Sequence, residues 1–207
     1  WQEAVLLRAV ETVNLVNKQQ RALARLGGLV ASTLSTLLSG GTVVVPPRFN
    51  ALNFWPLVRG YGVTWFSAVP SMHQALLARA ERDLGEEEGT GRLRFIRSCS
   101  AALPASTMGD MEERFSIPVL EAYGMTEAAH QMASNPLPPA RRYPGAVGFG
   151  TGVEIGIMDQ NGELLGPGTP GEVVIQGPSV IRGYEDNPDA NAASFTDGWF
   201  RTGDLGY

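Results

Sequence analysis

Between residues 29 and 122 the chain alternates helical segments with short, uninterrupted apolar runs, and this alternation limits the fold more than any other feature. The runs are rich in β-branched residues, which is typical of strands buried on both faces of a parallel sheet. Strands are predicted at Val43–Val45, Val63–Ser67, Leu93–Ser98 and Val119–Ala122, and helices at Ala51–Arg59, Ser71–Arg82 and Ala105–Phe115. The pattern predicts an α/β fold with a partial parallel β-sheet flanked by helices.

A different pattern follows a break that is rich in proline and turn-forming residues, Ser134–Gly145. Short alternating segments, Val153–Met158 and Glu172–Gln176, come after it, and Asn161-Gly162 favours a tight hairpin turn. We therefore predict an α/β subdomain over residues 25–135 and a small antiparallel or barrel-like β subdomain over residues 145–207.

The first 24 residues carry apolar side chains at helical spacing among polar ones, which predicts a surface helix. The uncharged run Leu26–Pro47 has enough residues to cross a bilayer. Gly, Ser, Thr and Pro fill about half of this run, and Gly40-Gly41 divides it. A core helix followed by a buried strand explains the run better than a membrane span.

Composition limits the partners. With a net charge of −5, the protein lacks the excess of basic residues that binding to nucleic acids or anionic membranes requires. Small molecules are therefore the expected partners. One cysteine, Cys99, forms no internal disulfide, and two histidines are too few to complete a Cys/His zinc site. This cysteine usage fits a reducing compartment and predicts a cytoplasmic protein.

Two loops that follow predicted strands are candidates for ligand binding, because ligands of open parallel sheets lie beyond the carboxyl ends of strands. Cys99–Pro104 is a loop of small residues that lets a flat ligand approach the backbone. Tyr123–Glu127 combines an aromatic ring suited to stacking, a hydroxyl suited to phosphate and a carboxylate suited to Mg²⁺. The structural alternative is a strand-to-helix turn with Thr126 as N-cap and Glu127 in the first turn.

Near the end of the chain, Asp204 could accept hydrogen bonds from both hydroxyls of a ribose, because a carboxylate is an acceptor with two oxygens. Its structural alternative is a polar turn in which the aspartate binds its own backbone.

Three ordered blocks together carry a family resemblance. Tyr123–Glu127, then Gly171–Gly177 with Gly183-Tyr184, then Trp199 with Arg201–Asp204 resemble signature blocks of the adenylate-forming acyl-CoA synthetases. Within that family, Leu93–Ala101 and Tyr123–Pro138 are most similar to oxalate–CoA ligases.

The resemblance implies a two-step reaction that uses ATP and Mg²⁺ to ligate a carboxylic acid to CoA. Oxalate is the acid that it favours most. It implies nucleotide contacts along the adenine, ribose and acyl-adenylate from Ser100, Ala101, Glu121, Ala122, Tyr123, Gly124 and Asp204. Thr126 would touch the α-phosphate and Glu127 would bind Mg²⁺, whereas Gly171–Gly177 would form a structural strand.

His130 lies four residues after Thr126, about one helical turn, and could therefore face the same cleft. We predict that it binds the second carboxylate of a short diacid, the alternative being a helix histidine that faces solvent or fills a gap. We interpret His73 as structural and Cys99 as a small buried hydrophobe rather than a nucleophile.

The chain also departs from the family pattern. The phosphate loop and the C-terminal domain that supplies the adenylation lysine are not found in it, and residues 1–24 match no family segment. We therefore expect the isolated chain not to catalyse adenylation. Two other hypotheses stay open, a generic medium-chain or aromatic acyl-CoA synthetase and a non-catalytic nucleotide-binding remnant.

Overall fold

A seven-stranded sheet forms the larger part of the protein. The computed structural model describes residues 11–14, 28–84 and 89–207. The strands are β1 (Glu11–Asn14), β2 (Thr42–Val44), β3 (Trp65–Ala68), β4 (Phe95–Ser98), β5 (Val119–Met125), β6 (His130–Ser134) and β7 (Phe149–Gly150), in the spatial order β2-β1-β3-β4-β5-β6-β7. The first five in that order are parallel, and β6 and β7 add antiparallel strands at one edge. The predicted partial parallel sheet is confirmed.

Helices connect the parallel strands, except for the last helix, which lies in the C-terminal part of the chain. They are α1 (Ser35–Leu38, which continues a π-helix over Gly28–Leu34), α2 (Ala51–Gly60), α3 (Pro70–Leu77), α4 (Ala80–Asp83), α5 (Ala105–Phe115) and α6 (Pro188–Ser194). Local sequence explains their starts: the Asn50 side chain accepts from the Leu52 amide at 3.0 Å, and Pro70 occupies the first turn of α3. The one helix predicted over Ser71–Arg82 is two helices, interrupted at Ala78-Arg79.

The predicted N-terminal helix is wrong where the structure describes it. Residues Glu11–Asn14 form β1, which lies between β2 and β3 and is parallel to both. A strand in this position satisfies its backbone amide and carbonyl groups on both sides, and that pairing outweighs a helical side-chain pattern. The rest of the predicted helix lies outside the described residues.

The uncharged run Leu26–Pro47 divides as predicted over the part that is described. Helical residues end at Leu38, a turn with Gly40 at φ 75° follows, and β2 begins at Thr42. No helix among the described residues is both long enough and apolar enough to span a bilayer. The compartment of the protein stays a prediction.

The main hydrophobic core lies between the parallel sheet and its helices. Trp55 of α2 is fully buried and contacts the rings of Phe54 and Phe115 at centroid distances of 5.0 and 5.2 Å. Ile96 and Val119, on the neighbouring strands β4 and β5, are also fully buried in this core. This packing fixes the strands so that the loops after β4 and β5 emerge side by side.

The C-terminal part forms a separate four-stranded antiparallel sheet. Its strands are β8 (Glu154–Met158), β9 (Gly171–Gln176), β10 (Phe195–Thr196) and β11 (Trp199–Gly206), in the order β10-β11-β9-β8. The predicted turn after β8 is present, with Gly162 at φ 89° and the Asp159 carboxylate accepting the amides of Asn161 and Glu163, each at 2.8 Å. The predicted small antiparallel unit is confirmed.

Candidate functional site

The two sheets contact each other at Tyr123 and Asp204, which are 81 positions apart in the sequence. The Tyr123 hydroxyl donates to Asp204 Oδ2 at 2.5 Å. Burial, together with the neighbouring Asp204 carboxylate, raises the pKa of Tyr123 above its ordinary value, so the phenol stays neutral and keeps its donor. An aromatic ring from β5 and an exposed carboxylate from β11 therefore lie side by side.

Asp204 lies at an irregularity of β11. The pairing of β11 with β9 shifts register between Arg201 and Leu205, and the Asp204 amide donates to Thr202 Oγ1 at 3.1 Å. The Thr202 hydroxyl donates in turn to the Val173 carbonyl of β9 at 2.7 Å. The shift frees the Asp204 side chain from the ladder and leaves it accessible.

Glu127 follows β5 on a single 3-10 turn, Thr126–Ala128. The Tyr184 hydroxyl donates to Glu127 Oε1 at 3.2 Å, and the Ile181 amide donates to the Glu127 carbonyl at 2.8 Å. Burial and the charge of Glu127 raise the pKa of Tyr184, which therefore remains a donor. Sequence reasoning gave Tyr184 no role, although it lies in one of the matched blocks.

The structural alternative for Thr126 is wrong. The residue at the N-cap position of the 3-10 turn is Met125, no side chain caps the turn, and a strand rather than a helix follows. Thr126 is exposed beside the half-buried Glu127, so its hydroxyl is accessible to a ligand.

The loop after β4 presents small side chains, as predicted. Ser100 adopts a left-handed backbone with φ 72°, which costs a non-glycine residue roughly 1–2 kcal/mol and is common at ligand sites. Its hydroxyl lies 3.7 Å from the Cys99 sulfur, and Ala101 is exposed. Cys99 itself is buried, as predicted.

Glu121 and Ala122 are less accessible than the resemblance implied. The Glu121 side chain is buried, and its Oε1 accepts the Leu103 amide at 2.8 Å. Burial raises the pKa of this carboxyl, only partly offset by the Leu103 hydrogen bond. Glu121 Oε1 therefore anchors the loop that carries Ser100, while Oε2 is buried without a hydrogen-bond partner among the described residues. Ala122 is buried within β5.

Gly124 is required by the packing of strands. A Cβ at this position would overlap the carbonyl group of His130, because β6 turns back directly against β5. Gly124 pairs with Gln131 at a register irregularity of this ladder. The packing of β6 against β5 therefore requires glycine at position 124, independently of any contact with a nucleotide.

His130 is near the predicted position but not on the predicted helix. The 3-10 turn ends at Ala129, where φ is 51°, and His130 opens β6 with φ 87°. The side chain is 3% exposed, so the solvent-facing alternative is wrong. Nδ1 has no hydrogen-bond partner among the described residues, and burial, with the charge of Arg97, lowers the pKa of His130 to about 4. The ring is neutral at physiological pH.

Sequence reasoning missed Arg97, a buried cation in the middle of β4. Its guanidinium donates to Ser67 Oγ at 3.2 Å and to Gln131 Oε1 at 3.0 Å. The signal that could have found it is an arginine placed between Ile96 and Ser98 in a strand predicted to be buried on both faces. His73, interpreted as structural, is fully buried beside the Phe66 ring, at a centroid distance of 5.8 Å.

Comparison with known proteins identifies the family. A family described as AMP-binding enzyme matches residues 23–185. The chain belongs to this family. Curated relatives include a probable CoA ligase of Humulus lupulus, 51% identical over 87% of this chain and 34% of that protein. An oxalate–CoA ligase of Arabidopsis thaliana is 49% identical over 87% of this chain and 35% of that protein.

A further relative is a sulfoacetate–CoA ligase of Cupriavidus necator, 42% identical over 89% of this chain and 36% of that protein. The chain therefore spans about a third of the length of the curated relatives it matches. Solved structures agree with the fold. ATP-bound MatB from Rhodopseudomonas palustris superimposes with a TM-score of 0.84 at 31% identity, over 96% of this chain and 38% of that one.

An O-succinylbenzoate coenzyme A synthetase of Bacillus subtilis, in complex with ATP and magnesium ion, gives a TM-score of 0.77 at 29% identity, over 96% of this chain and 39% of that one. The α/β sheet and the antiparallel sheet are therefore an architecture shared with ATP-binding members of the family.

Proposed function

We propose that this chain carries the adenylate and acid sites of an AMP-forming acid–CoA ligase. Its acid substrate is small and doubly charged, and oxalate is the first candidate. The observation that carries the proposal is the hydrogen bond between Tyr123 and Asp204. It brings a ring that can stack on a base next to a carboxylate that can accept a ribose diol, and base and ribose are adjacent in every nucleotide.

The phosphate end of the nucleotide would lie at the turn after β5. Thr126 offers an exposed hydroxyl to the α-phosphate, and the open Ser100-Ala101 loop leaves room for the acyl-adenylate. Glu121 contributes indirectly, because its carboxyl fixes the Leu103 amide and with it the loop.

The residues present fit a magnesium ion that arrives with ATP. Among the residues that the structure describes, no cluster of three or more histidine, cysteine or acidic side chains could hold a metal alone. Mg²⁺ bound through one carboxylate and substrate phosphates needs only Glu127, which Tyr184 holds in position. Such an ion would neutralise charge on the phosphates when bound.

The reaction proceeds in two displacements. A carboxylate oxygen of the acid attacks the α-phosphorus of ATP, the α–β phosphoanhydride bond breaks, and acyl-adenylate and pyrophosphate form. The CoA thiolate, formed when the thiol loses its proton to solvent, then attacks the acyl carbon and displaces AMP. Within this chain, catalysis would depend on positioning and on the Thr126 hydroxyl, while Glu127 would hold the Mg²⁺ that neutralises developing negative charge.

Two observations favour a small diacid over a medium-chain or aromatic acid. The acid end is polar and buried, with His130 and Arg97 in place of an apolar channel. Two of the relatives are named for oxalate and sulfoacetate, which both carry two anionic groups. His130 would bind the second anionic group through its ring.

Calorimetric titration with AMP tests the nucleotide site in the isolated chain. Asp204→Asn is expected to lower AMP affinity at least tenfold, because a charge-assisted hydrogen bond to ribose contributes about 1.5–3 kcal/mol. Asp110→Asn on α5 makes the same change of charge at an exposed position outside the site and is expected to leave the affinity unchanged. Equal affinity in the two variants would exclude the ribose role of Asp204.

A non-catalytic nucleotide-binding protein is the second candidate. It would bind AMP with the same dependence on Asp204 but would show no affinity for oxalate. Titrating the same preparation with oxalate therefore distinguishes the two candidates.

A further inference from the structure

Arg97 is a buried positive charge without a buried negative partner. The residue is 5% exposed, and no carboxylate of the described chain lies within ion-pair distance of its guanidinium. Its two recorded acceptors, Ser67 Oγ and Gln131 Oε1, are neutral. Buried charges in proteins are ordinarily paired, because removal of an ion from water is costly and arginine cannot lose its proton.

The hydrogen bonds of Arg97 lead to both halves of the proposed acid site. On one side, Ser67 Oγ lies 3.5 Å from the Cys99 sulfur, which contacts the Ser100 hydroxyl of the acyl-adenylate loop. On the other side, Gln131 follows His130 directly in β6. Gln131 is also held from its far side, where its Nε2 donates to Thr151 Oγ1 at 3.3 Å.

His130 completes the group. Its Nδ1 is buried and has no partner among the described residues, and the ring is neutral. A neutral imidazole supplies a hydrogen bond but no charge. Among the described residues, Arg97 is the cation that contacts the residue following His130.

We propose that Arg97 is a specificity-determining positioning residue, whose uncompensated charge, held against Gln131, the residue that follows His130 in β6, selects acids that carry a second negative charge. This inference rests on the proposed function, because it assumes that the acid binds at His130. It deepens that function by assigning selectivity between doubly and singly charged acids to a residue to which the sequence analysis gave no role.

Gln131→Glu is the most direct test. The substitution keeps the size and the acceptor oxygen that Arg97 uses, and it adds one negative charge beside the guanidinium. The second oxygen of the new carboxylate takes the place of the Nε2 donor and can accept from the Thr151 hydroxyl, and the carboxylate pairs with Arg97 in the absence of any acid. We expect the unmodified chain to bind oxalate at least tenfold more tightly than glycolate, which is similar in size and carries one charge. We expect Gln131→Glu to bring that ratio close to one.

Four further variants accompany the test. Gln131→Met removes the hydrogen bond without adding charge and should retain most of the preference for oxalate. Gln160→Glu adds the same charge in the exposed turn after β8 and should leave the preference unchanged. Arg97→Lys keeps the positive charge and should preserve the preference, whereas Arg97→Met should abolish it. If Arg97→Met fails to fold, Gln131→Glu still decides the question.

The outcomes separate this inference from the proposed function. Unchanged oxalate preference in Gln131→Glu, with AMP binding intact, would show that Arg97 only ties β3, β4 and β6 together, and would overturn the inference while the nucleotide site stands. Equal or absent binding of the two acids by the unmodified chain would overturn it as well. A third outcome is that the unmodified chain does not bind AMP but still prefers oxalate, and that Gln131→Glu removes this preference. That outcome would overturn the proposed function and still support the role of Arg97 in acid selection.

Discussion

Several buried polar side chains of the protein have pKa values that are set by their surroundings. Burial lowers the pKa of both His73 and His130 to about 4, and at His130 the charge of Arg97 adds to this effect. At Glu121, by contrast, burial raises the pKa of the carboxyl. Both histidines are therefore neutral at pH 7, so the proposed recognition of the acid does not depend on histidine protonation.

The pKa of His73 predicts a loss of stability in mild acid. The native pKa of about 4 lies below the unfolded value of 6.5, so the unfolded chain binds the proton more tightly. Stability from this residue is fully present above pH 6.5 and is lost as pH falls through 4. A difference of 2.5 pKa units corresponds to about 3 kcal/mol at most.

Urea unfolding at pH 7 and pH 4.5 measures this effect, and comparison with His73→Leu isolates it from other titrating groups. The unmodified chain should lose more free energy of unfolding between the two pH values than the variant does. Parallel pH profiles for the two proteins would contradict the assignment.

At the scale of secondary-structure elements, the close return of β6 against β5 shapes the site. A 3-10 turn reverses the chain within a few residues, so Thr126 and Glu127 are presented at the turn while His130 and Gln131 re-enter the sheet. The reversal is sterically open only because Gly124 lacks a side chain.

Two glycine substitutions are therefore expected to change the free energy of unfolding in opposite directions. Gly124→Ala places a methyl group against the backbone of His130, which cannot move cheaply, and should destabilise the protein by about 1–3 kcal/mol. Gly109→Ala, at an exposed position of α5 with open space around it, should stabilise by about 0.5–1 kcal/mol. Thermal unfolding of both variants measures the difference, and a stable Gly124→Ala protein would refute the steric argument.

At the scale of the whole molecule, the candidate site lies where the two sheets meet. Tyr123 with Asp204 and Glu127 with Tyr184 are hydrogen bonds that join the parallel sheet to the C-terminal part of the chain. Each joins a residue of the Tyr123–Glu127 block to a residue far along the sequence. Movement of one part against the other would therefore change the nucleotide site directly.

The chain spans about a third of the length of its curated relatives, so the proposed ligase activity is tested in a chimera. We expect residues 28–207 to support oxalate-dependent exchange of pyrophosphate into ATP when they replace the matching segment of the Arabidopsis oxalate–CoA ligase. Glu127→Ala in that chimera should reduce exchange at least 100-fold, since one of the groups proposed to hold Mg²⁺ is lost. A folded chimera without exchange, or exchange that survives Glu127→Ala, would contradict the assignment.

The sequence alone determined the α/β alternation, the break after Ser134, the C-terminal antiparallel unit and the family motifs. These depend on local physics: hydrophobic periodicity, turn-forming residues and side chains at fixed spacing. The tertiary structure alone decided that residues 11–14 form a strand, that His130 lies on a strand rather than a helix, and that Glu121 supports a loop. It also decided that Arg97 meets Gln131, 34 positions away. Such outcomes depend on which distant groups satisfy buried charges and backbone hydrogen bonds, and no local pattern encodes that choice.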